Sequence, residues 1–106
     1  MFRLTEKFKR EGMNYWTKDN PNVHRVLDSL DISYGIDEKT IEFFLCTGDG
    51  RSKMFIYEFD RFSMNYIRTF TPYETKLCTL KSAYILNETT MNFISEMIKN
   101  GYLEIV

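Results

Sequence analysis

The residue types that carry most enzyme chemistry are scarce in this sequence. Its 106 residues include one histidine, His24, and two cysteines, Cys46 and Cys78, which do not form a CxxC motif. A structural zinc site needs four such ligands, and a Ser-His-Asp or Cys-His arrangement would have to use His24. We therefore predict a protein that is not an enzyme and that binds no metal or cofactor. The cysteines are interpreted as small buried side chains in a reducing cytoplasm. The alternative is a disulfide between Cys46 and Cys78, if their strands are neighbours.

Short motifs for phosphate, calcium or acid–base chemistry are also missing. Residues 47–50 contain two glycines but lack the Gly-Lys-Ser/Thr continuation of a phosphate loop, and Asp49 does not begin the DxDxDG pattern of a calcium loop. Asp37 with Glu38, or Glu42 with Glu58, would be the carboxylate pairs available to an acid–base mechanism. Nothing in the sequence marks a cleft around either pair, so we interpret them as surface charge.

Long apolar runs and an excess of one charge are absent too. No run approaches the ~20 residues of a membrane span, and residues 1–9 lack the apolar core of a signal peptide, so we expect a cytoplasmic protein. The net charge of −1 is not the strong basic excess of a duplex-binding protein. The charge is nevertheless uneven, since residues 1–18 hold five basic and two acidic groups, and residues 19–60 hold four basic and nine acidic groups.

Aromatic residues are abundant and concentrate in residues 40–86. Alternation with a period of two predicts four strands there, at Thr40–Cys46, Lys53–Phe59, Phe62–Phe70 and Lys76–Leu86. Asp49-Gly50 predicts a hairpin between the first two strands, because glycine reaches positive φ without steric cost. Loops this short favour antiparallel neighbours, so the strands form a meander whose aromatic side chains serve as core packing.

Helices are predicted on both sides of this meander. The first covers Phe2–Glu11 and stops at Gly12, and the second begins at Pro21 and continues to about Asp31. Ser33-Tyr34-Gly35 then breaks the pattern. The last helix covers Glu88–Asn100, with Gly101 at its C′ position. Its predicted buried face comprises Met91, Ile94, Met97 and Ile98, with Phe93 adjoining.

The expected fold class is α+β, in one domain. An antiparallel sheet of four or five strands is packed by an N-terminal helix pair and a C-terminal helix. Its segments are a basic helix with a Tyr-Trp anchor at 1–18, a helix and acidic loop at 19–39, the meander at 40–86, and a helix with an edge strand, Tyr102–Val106, at 87–106.

Two groups of residues are candidates for binding. The acidic group lies mainly after Leu27 and is predicted to face basic residues of a partner protein, because such complementarity raises association rate and specificity. It comprises Asp28, Asp31, Asp37 and Glu38, with Asp49 and Arg51 at the hairpin tip. The second group combines positive charge with stacking rings, as in binders of single-stranded nucleic acid. It comprises Arg3, Lys7, Lys9, Arg10, Tyr15 and Trp16.

The amino-acid composition also suggests the type of genome that encodes the protein. Isoleucine, asparagine, lysine, phenylalanine and tyrosine abound while Ala83 is the single alanine, a bias typical of AT-rich genomes. A small chain without motifs is a common profile of phage or mobile-element proteins that disable a host protein. We predict a non-enzymatic protein-binding module of this kind, which inhibits a host or defence protein by surface occlusion. The alternative is a small single-stranded nucleic-acid-binding protein, and a third hypothesis is a homodimer that pairs the edge strand Tyr102–Val106.

Overall fold

The computed structural model of the chain describes residues 1–13, 21–46, 54–70 and 88–106. Within these ranges, three helices and two antiparallel sheets form an α+β fold, as predicted. Strands β2 to β5 form a four-stranded sheet in chain order, and β1 pairs with β6 in a two-stranded sheet. The elements are β1 (Phe2–Leu4), α1 (Glu6–Gly12), α2 (Pro21–Ser29), β2 (Ile32–Ile36), β3 (Thr40–Cys46), β4 (Met54–Asp60), β5 (Tyr66–Phe70), α3 (Glu88–Lys99) and β6 (Leu103–Ile105).

Strands β3 and β4 form the centre of the sheet, and their predicted alternation is confirmed. Phe43 lies opposite Tyr57 in the antiparallel register, and both side chains are buried. The same core face also buries Ile41 and Leu45 from β3 and Phe55 and Phe59 from β4. The predicted hairpin tip at 47–52 lies outside the described residues. So do the predicted strand Lys76–Leu86, which contains Cys78, and the pair Tyr15 and Trp16.

The helical pattern does end before Ser33-Tyr34-Gly35, as predicted, but these residues belong to strand β2, which the sequence pattern does not predict. Gly35 weakens strand propensity, but the neighbouring residues supply contacts that outweigh it. The Tyr34 ring stacks on Phe43 with centroids 5.6 Å apart, and its hydroxyl donates to the Gly12 carbonyl oxygen at 3.0 Å. Tertiary packing therefore turns a segment of weak propensity into the outer strand of the described sheet.

The first residues form a strand rather than the first turn of the predicted helix. The Leu4 amide donates to the Met64 carbonyl at 2.9 Å, and the Thr5 amide donates to the Tyr102 carbonyl at 3.0 Å. Thr5 then caps α1 by accepting from the Phe8 amide, so the helix begins at Glu6. The predicted C-terminal strand is present as β6, and it joins β1 instead of the four-stranded sheet.

Phe8 lies at the centre of the core that these elements share. Its ring is fully buried and lies 5.8 Å from Tyr34, 5.7 Å from Phe43 and 6.3 Å from Tyr102, measured between ring centroids. A Cβ at Gly12 would lie 2.7 Å from this ring. The helix ends at Gly12, as predicted, and the missing side chain also lets the Phe8 ring approach this residue closely.

Helices α2 and α3 both pack on the core, but the buried face of α3 differs from the predicted one. The second predicted helix is confirmed as α2, and its apolar residues Val23 and Leu27 are buried. On α3 the buried side chains include Phe93 and Met97, whereas Met91 is 60% exposed and Ile98 39% exposed, so the prediction for these two residues is wrong. Apolar residues spaced three or four apart can be assigned to more than one face of the same helix. Contact with the core decides which of these faces is buried. Gly101 has φ of +79°, which confirms the predicted C′ position.

None of the helices in the described ranges is both long and apolar enough to cross a membrane.

Candidate interaction surface

Two turns lie side by side at one end of the four-stranded sheet. Residues 37–39 connect β2 to β3, and residues 61–65 connect β4 to β5. The Arg61 amide donates to the Lys39 carbonyl at 2.9 Å, and the Arg61 guanidinium donates to the Asp37 carbonyl at 2.7 Å. These bonds join the two turns. We call residues 37–40 and 60–65, together with Glu42 and Glu58, the turn surface.

A carboxylate holds each turn from within. Asp37 accepts from the amides of Lys39 at 2.9 Å and Thr40 at 2.7 Å, and from the Thr40 hydroxyl at 3.0 Å. The amide hydrogen bonds from Lys39 and Thr40 contribute most to lowering the pKa of Asp37 below its ordinary value. Aspartate closes turns in this way because its side chain reaches amides two and three residues further on. This turn is consequently formed before any partner arrives.

The second turn is built with the same chemistry. The Asp60 carboxylate accepts from the amides of Phe62 at 2.8 Å and Ser63 at 2.7 Å. The hydrogen bonds from Ser63 and then Phe62 lower the pKa of Asp60. The Met64 amide also donates to the Asp60 carbonyl, at 2.9 Å. Both turns therefore present fixed backbones at the same end of the sheet.

Two glutamates face each other on the side of the sheet that points away from the core. Glu42 on β3 lies opposite Glu58 on β4, and the Glu58 carboxylate is 3.2 Å from the Arg68 guanidinium. Partial burial, followed by the negative charges of Glu58 and Asp37, raises the pKa of Glu42. A shallow depression of about 460 Å³ covers this area, lined by Asp37, Glu38, Lys39, Thr40, Glu42 and Glu58. It is an acidic hollow with four carboxylates and one lysine in its lining.

The structure divides the predicted acidic group between two places. Asp37 and Glu38 belong to the turn surface, and both are exposed. Asp28 is exposed on α2, and Asp31 follows that helix at the other end of β2, with φ of +60°. Six residues of extended chain span roughly 20 Å, so Asp28 and Asp31 do not share a surface with the turn.

The other predicted acidic-group residues, Asp49 and Arg51, lie outside the described ranges. Glu58 was not predicted as a binding residue, although it lines the acidic hollow. The strand register identifies Glu58 as part of this surface, because β3 and β4 place it opposite Glu42. Sequence spacing alone does not supply that register when the turn length is uncertain.

The basic group is partly engaged in contacts within the protein. The Arg3 guanidinium donates to Glu104 at 2.7 and 2.9 Å, and Lys7 donates to the Asn100 carbonyl at 2.8 Å. Lys9 and Arg10 are exposed on α1. Arg3 and Lys9 line a cleft of about 280 Å³ together with Glu6 and Glu104, which makes the charge of that cleft mixed. Tyr15 and Trp16, the stacking rings of this group, lie outside the described residues.

The candidate groups for chemistry are not assembled in the part of the chain that the structure describes. His24 is half-buried, with its ring centroid 5.6 Å from that of Tyr34. Among the described residues, no group of three histidine, cysteine, aspartate or glutamate side chains is placed to hold a metal ion.

Comparisons with protein-family models, with curated proteins and with solved structures found no match to this chain. We therefore infer its function from the chemistry of its own surface.

Proposed function

We propose that this protein is a non-enzymatic binding module that uses the turn surface to contact another protein. The observation that carries the proposal is a preformed turn pair beside the acidic hollow, where Glu42 and Glu58 lie opposite each other. Like charges directly opposite in adjacent strands destabilise a sheet. Arg68 already pairs with Glu58, so a basic side chain from a partner would relieve the remaining repulsion by neutralising Glu42.

The rigidity of the turn surface supports the same proposal. Ordering a loop on binding costs free energy, and a surface that is already held by hydrogen bonds avoids that cost. Asp37 and Asp60 hold the two turns, and Arg61 joins them. Carboxylates in the hollow then raise the association rate and favour basic partners over acidic ones.

The mechanism that we propose is occlusion of a functional site on the partner. A stable interface buries roughly 1,200–2,000 Å² in total, which is enough to cover a substrate or nucleic-acid site. A basic nucleic-acid site on a host or defence protein has the charge that the acidic hollow would meet. Residue composition supports origin in a phage or mobile element, where inhibitors of this kind are common.

The alternative, binding of single-stranded nucleic acid through the basic group, has less support. Arg3 and Lys7 already donate to acceptors within the protein, and Glu6 and Glu104 line the cleft beside Arg3 and Lys9. A phosphate backbone needs a net positive surface, because its affinity comes mainly from released counterions.

Affinity capture with matched variants tests the proposal. The immobilised protein is incubated with nuclease-treated lysate of a candidate host, and bound proteins are identified by mass spectrometry. The double variant Glu38→Lys/Glu42→Lys reverses charge in the hollow, and Asp28→Lys reverses an exposed acidic residue at the other end of β2. We expect the double variant to lose the partner and Asp28→Lys to retain it.

Two results would contradict this proposal. A partner retained equally by both variants would place the interface elsewhere. Material that is captured only when nuclease is omitted would favour the nucleic-acid alternative. For a partner that passes both controls, binding by the wild-type protein should weaken with added salt, and the double variant should lose most of that dependence.

A further inference from the structure

Phe62 is an exposed aromatic side chain on the turn surface. It is 74% exposed, whereas Phe8, Phe43, Phe55, Phe59 and Phe93 are all buried. It lies in the turn after β4, next to the joined turn of residues 37–39. A phenylalanine that is 74% exposed gains little from folding, because apolar area stabilises only when it leaves water. Its position needs an explanation other than core packing.

The turn is built so that Phe62 remains outside. The amides of Phe62 and Ser63 both donate to Asp60, and the Met64 side chain is buried at 5% exposure. Met64 has φ of +67°, a conformation that is strained for a residue other than glycine. The Leu4 amide holds that conformation by donating to the Met64 carbonyl at 2.9 Å. Burial of Met64 and this pinned backbone leave Phe62 pointing away from the core.

We propose that Phe62 is the anchor of the interface and inserts into an apolar pocket of the partner protein, whose rim is basic. This inference rests on the proposed function and specifies the partner's chemistry. An aromatic residue surrounded by polar groups is the usual composition of an interface hot spot. Phe62 lines a cleft with the charged residues Arg3, Glu6, Lys9 and Glu104, and its neighbour Arg61 is bonded to the turn that carries Asp37, Glu38 and Lys39 beside the acidic hollow.

The surroundings of Phe62 favour a protein pocket over the other possible occupants. The adjoining acidic hollow, with four carboxylates and one lysine, opposes a phosphate backbone, so stacking of Phe62 on a nucleic-acid base is disfavoured. A second copy of this chain offers no suitable receptor in the adjoining cleft, because Arg3, Glu6, Lys9, Ser63 and Glu104 line most of it. Inserting a phenyl ring there would desolvate charged groups without pairing them. We therefore assign the pocket to a different protein, and binding to a second copy is one of the outcomes that the test distinguishes.

Site-specific photocrosslinking tests what Phe62 touches. The full chain carries p-benzoylphenylalanine in place of Phe62, and a control chain carries it in place of Met91, which is 60% exposed on α3. Each is irradiated in a lysate of the candidate host, and the crosslinked peptides are mapped. We expect a protein adduct specific to position 62, at apolar residues flanked by lysine or arginine. Unlabelled wild-type protein should suppress it, and Phe62→Ala should compete about tenfold less well or worse.

Several outcomes would overturn the anchor role. They are an adduct to nucleic acid, an adduct to a second copy of the chain, or no adduct above the Met91 control. The anchor role would also be overturned if unlabelled Phe62→Ala suppressed the crosslink at position 62 as well as unlabelled wild-type protein does. The capture experiment distinguishes this failure from that of the proposed function. If Glu38→Lys/Glu42→Lys loses a partner that Phe62→Ala retains, the binding surface stands and the anchor does not.

Discussion

Individual carboxylates at the turn surface affect stability in opposite directions. The pKa values of Asp37 and Asp60 are lowered by amide hydrogen bonds, so their ionised forms stabilise the fold above the ordinary value of 3.8. That contribution is lost as the pH falls through the lowered pKa values. The pKa of Glu42 is raised, so its ionised form opposes folding. The two aspartates maintain the surface, while Glu42 reduces stability and is available to a partner.

Glu42→Gln should therefore stabilise the protein at pH 7, by about 0.2–1 kcal/mol, because it removes a like charge opposite Glu58. The wild-type penalty grows as the pH rises through the raised pKa of Glu42 and is absent below the ordinary value of 4.5. Urea unfolding at pH 7 and at pH 4 should show the gain only at pH 7. Glu38→Gln, at an exposed position, is the control with little expected change. A loss of stability in Glu42→Gln at pH 7 would refute this account.

At the scale of elements, the junction between β1 and α1 holds the end of α3. The Thr5 hydroxyl donates to the Gly101 carbonyl, and Lys7 donates to the Asn100 carbonyl at 2.8 Å. Asn100 and Gly101 lie directly after α3, and these donors satisfy carbonyl groups that would otherwise depend on water. Two elements from opposite ends of the sequence thereby stabilise each other.

Thr5→Val should destabilise the protein by about 1–3 kcal/mol, because the same shape loses both the α1 cap and the bond to Gly101. Thr5→Ser retains the hydroxyl and should lose considerably less. The free energy of unfolding in urea measures both variants. Equal losses in the two variants would show that the methyl group, and not the hydroxyl, stabilises this junction.

For the molecule as a whole, stability depends on a core shared by elements that are distant in the sequence. The Phe8 ring contacts Tyr34 of β2, Phe43 of β3 and Tyr102, which follows α3. Tyr102 also donates its amide to the Met97 carbonyl at 2.8 Å, which links this cluster to α3. Loss of the Phe8 ring would remove a contact common to all of these segments.

Phe8→Ala should reduce the stability by about 3–5 kcal/mol, the range typical of an aromatic core truncation. Since small domains are stable by only about 5–15 kcal/mol, this loss removes a large share of the stability. Met91→Ala, at a 60% exposed position on α3, should change stability by about 0.5 kcal/mol or less. Circular dichroism during thermal and urea unfolding compares the two. A large loss in Met91→Ala would restore the buried face that the sequence analysis predicts for α3.

Sequence pattern was most reliable where one physical cause dominates. Alternation in β3 and β4 placed Ile41, Phe43 and Phe59 on the buried face, because a half-buried strand needs that period. The pattern failed at Ser33-Tyr34-Gly35, where the stacking of Tyr34 on Phe43 outweighs the low propensity of glycine. It also failed at residues 2–4, where pairing with β6 replaces a helical turn. In each failure, the deciding contact comes from a distant part of the chain.

Only some residues of the turn surface could be predicted from the sequence. Asp37 and Glu38 were predicted and lie on the turn surface, but the intervening strand β2 separates Asp28 and Asp31 from them. Phe62 was predicted as the first residue of the strand Phe62–Phe70. It is exposed because the strand begins only at Tyr66 and the preceding residues form the Asp60 turn.

Local periodicity and capping are sufficient to predict the α+β class, a helix that begins at Glu88 and the core face of the central strands. The sequence suggests Glu42 and Glu58 as a pair, but only the folded sheet places them directly opposite each other, joins the two turns through Arg61 and leaves Phe62 facing solvent. These features depend on strand register and on contacts between segments far apart in the chain. No local pattern encodes them, because a shift of register by one residue would exchange the faces of every strand.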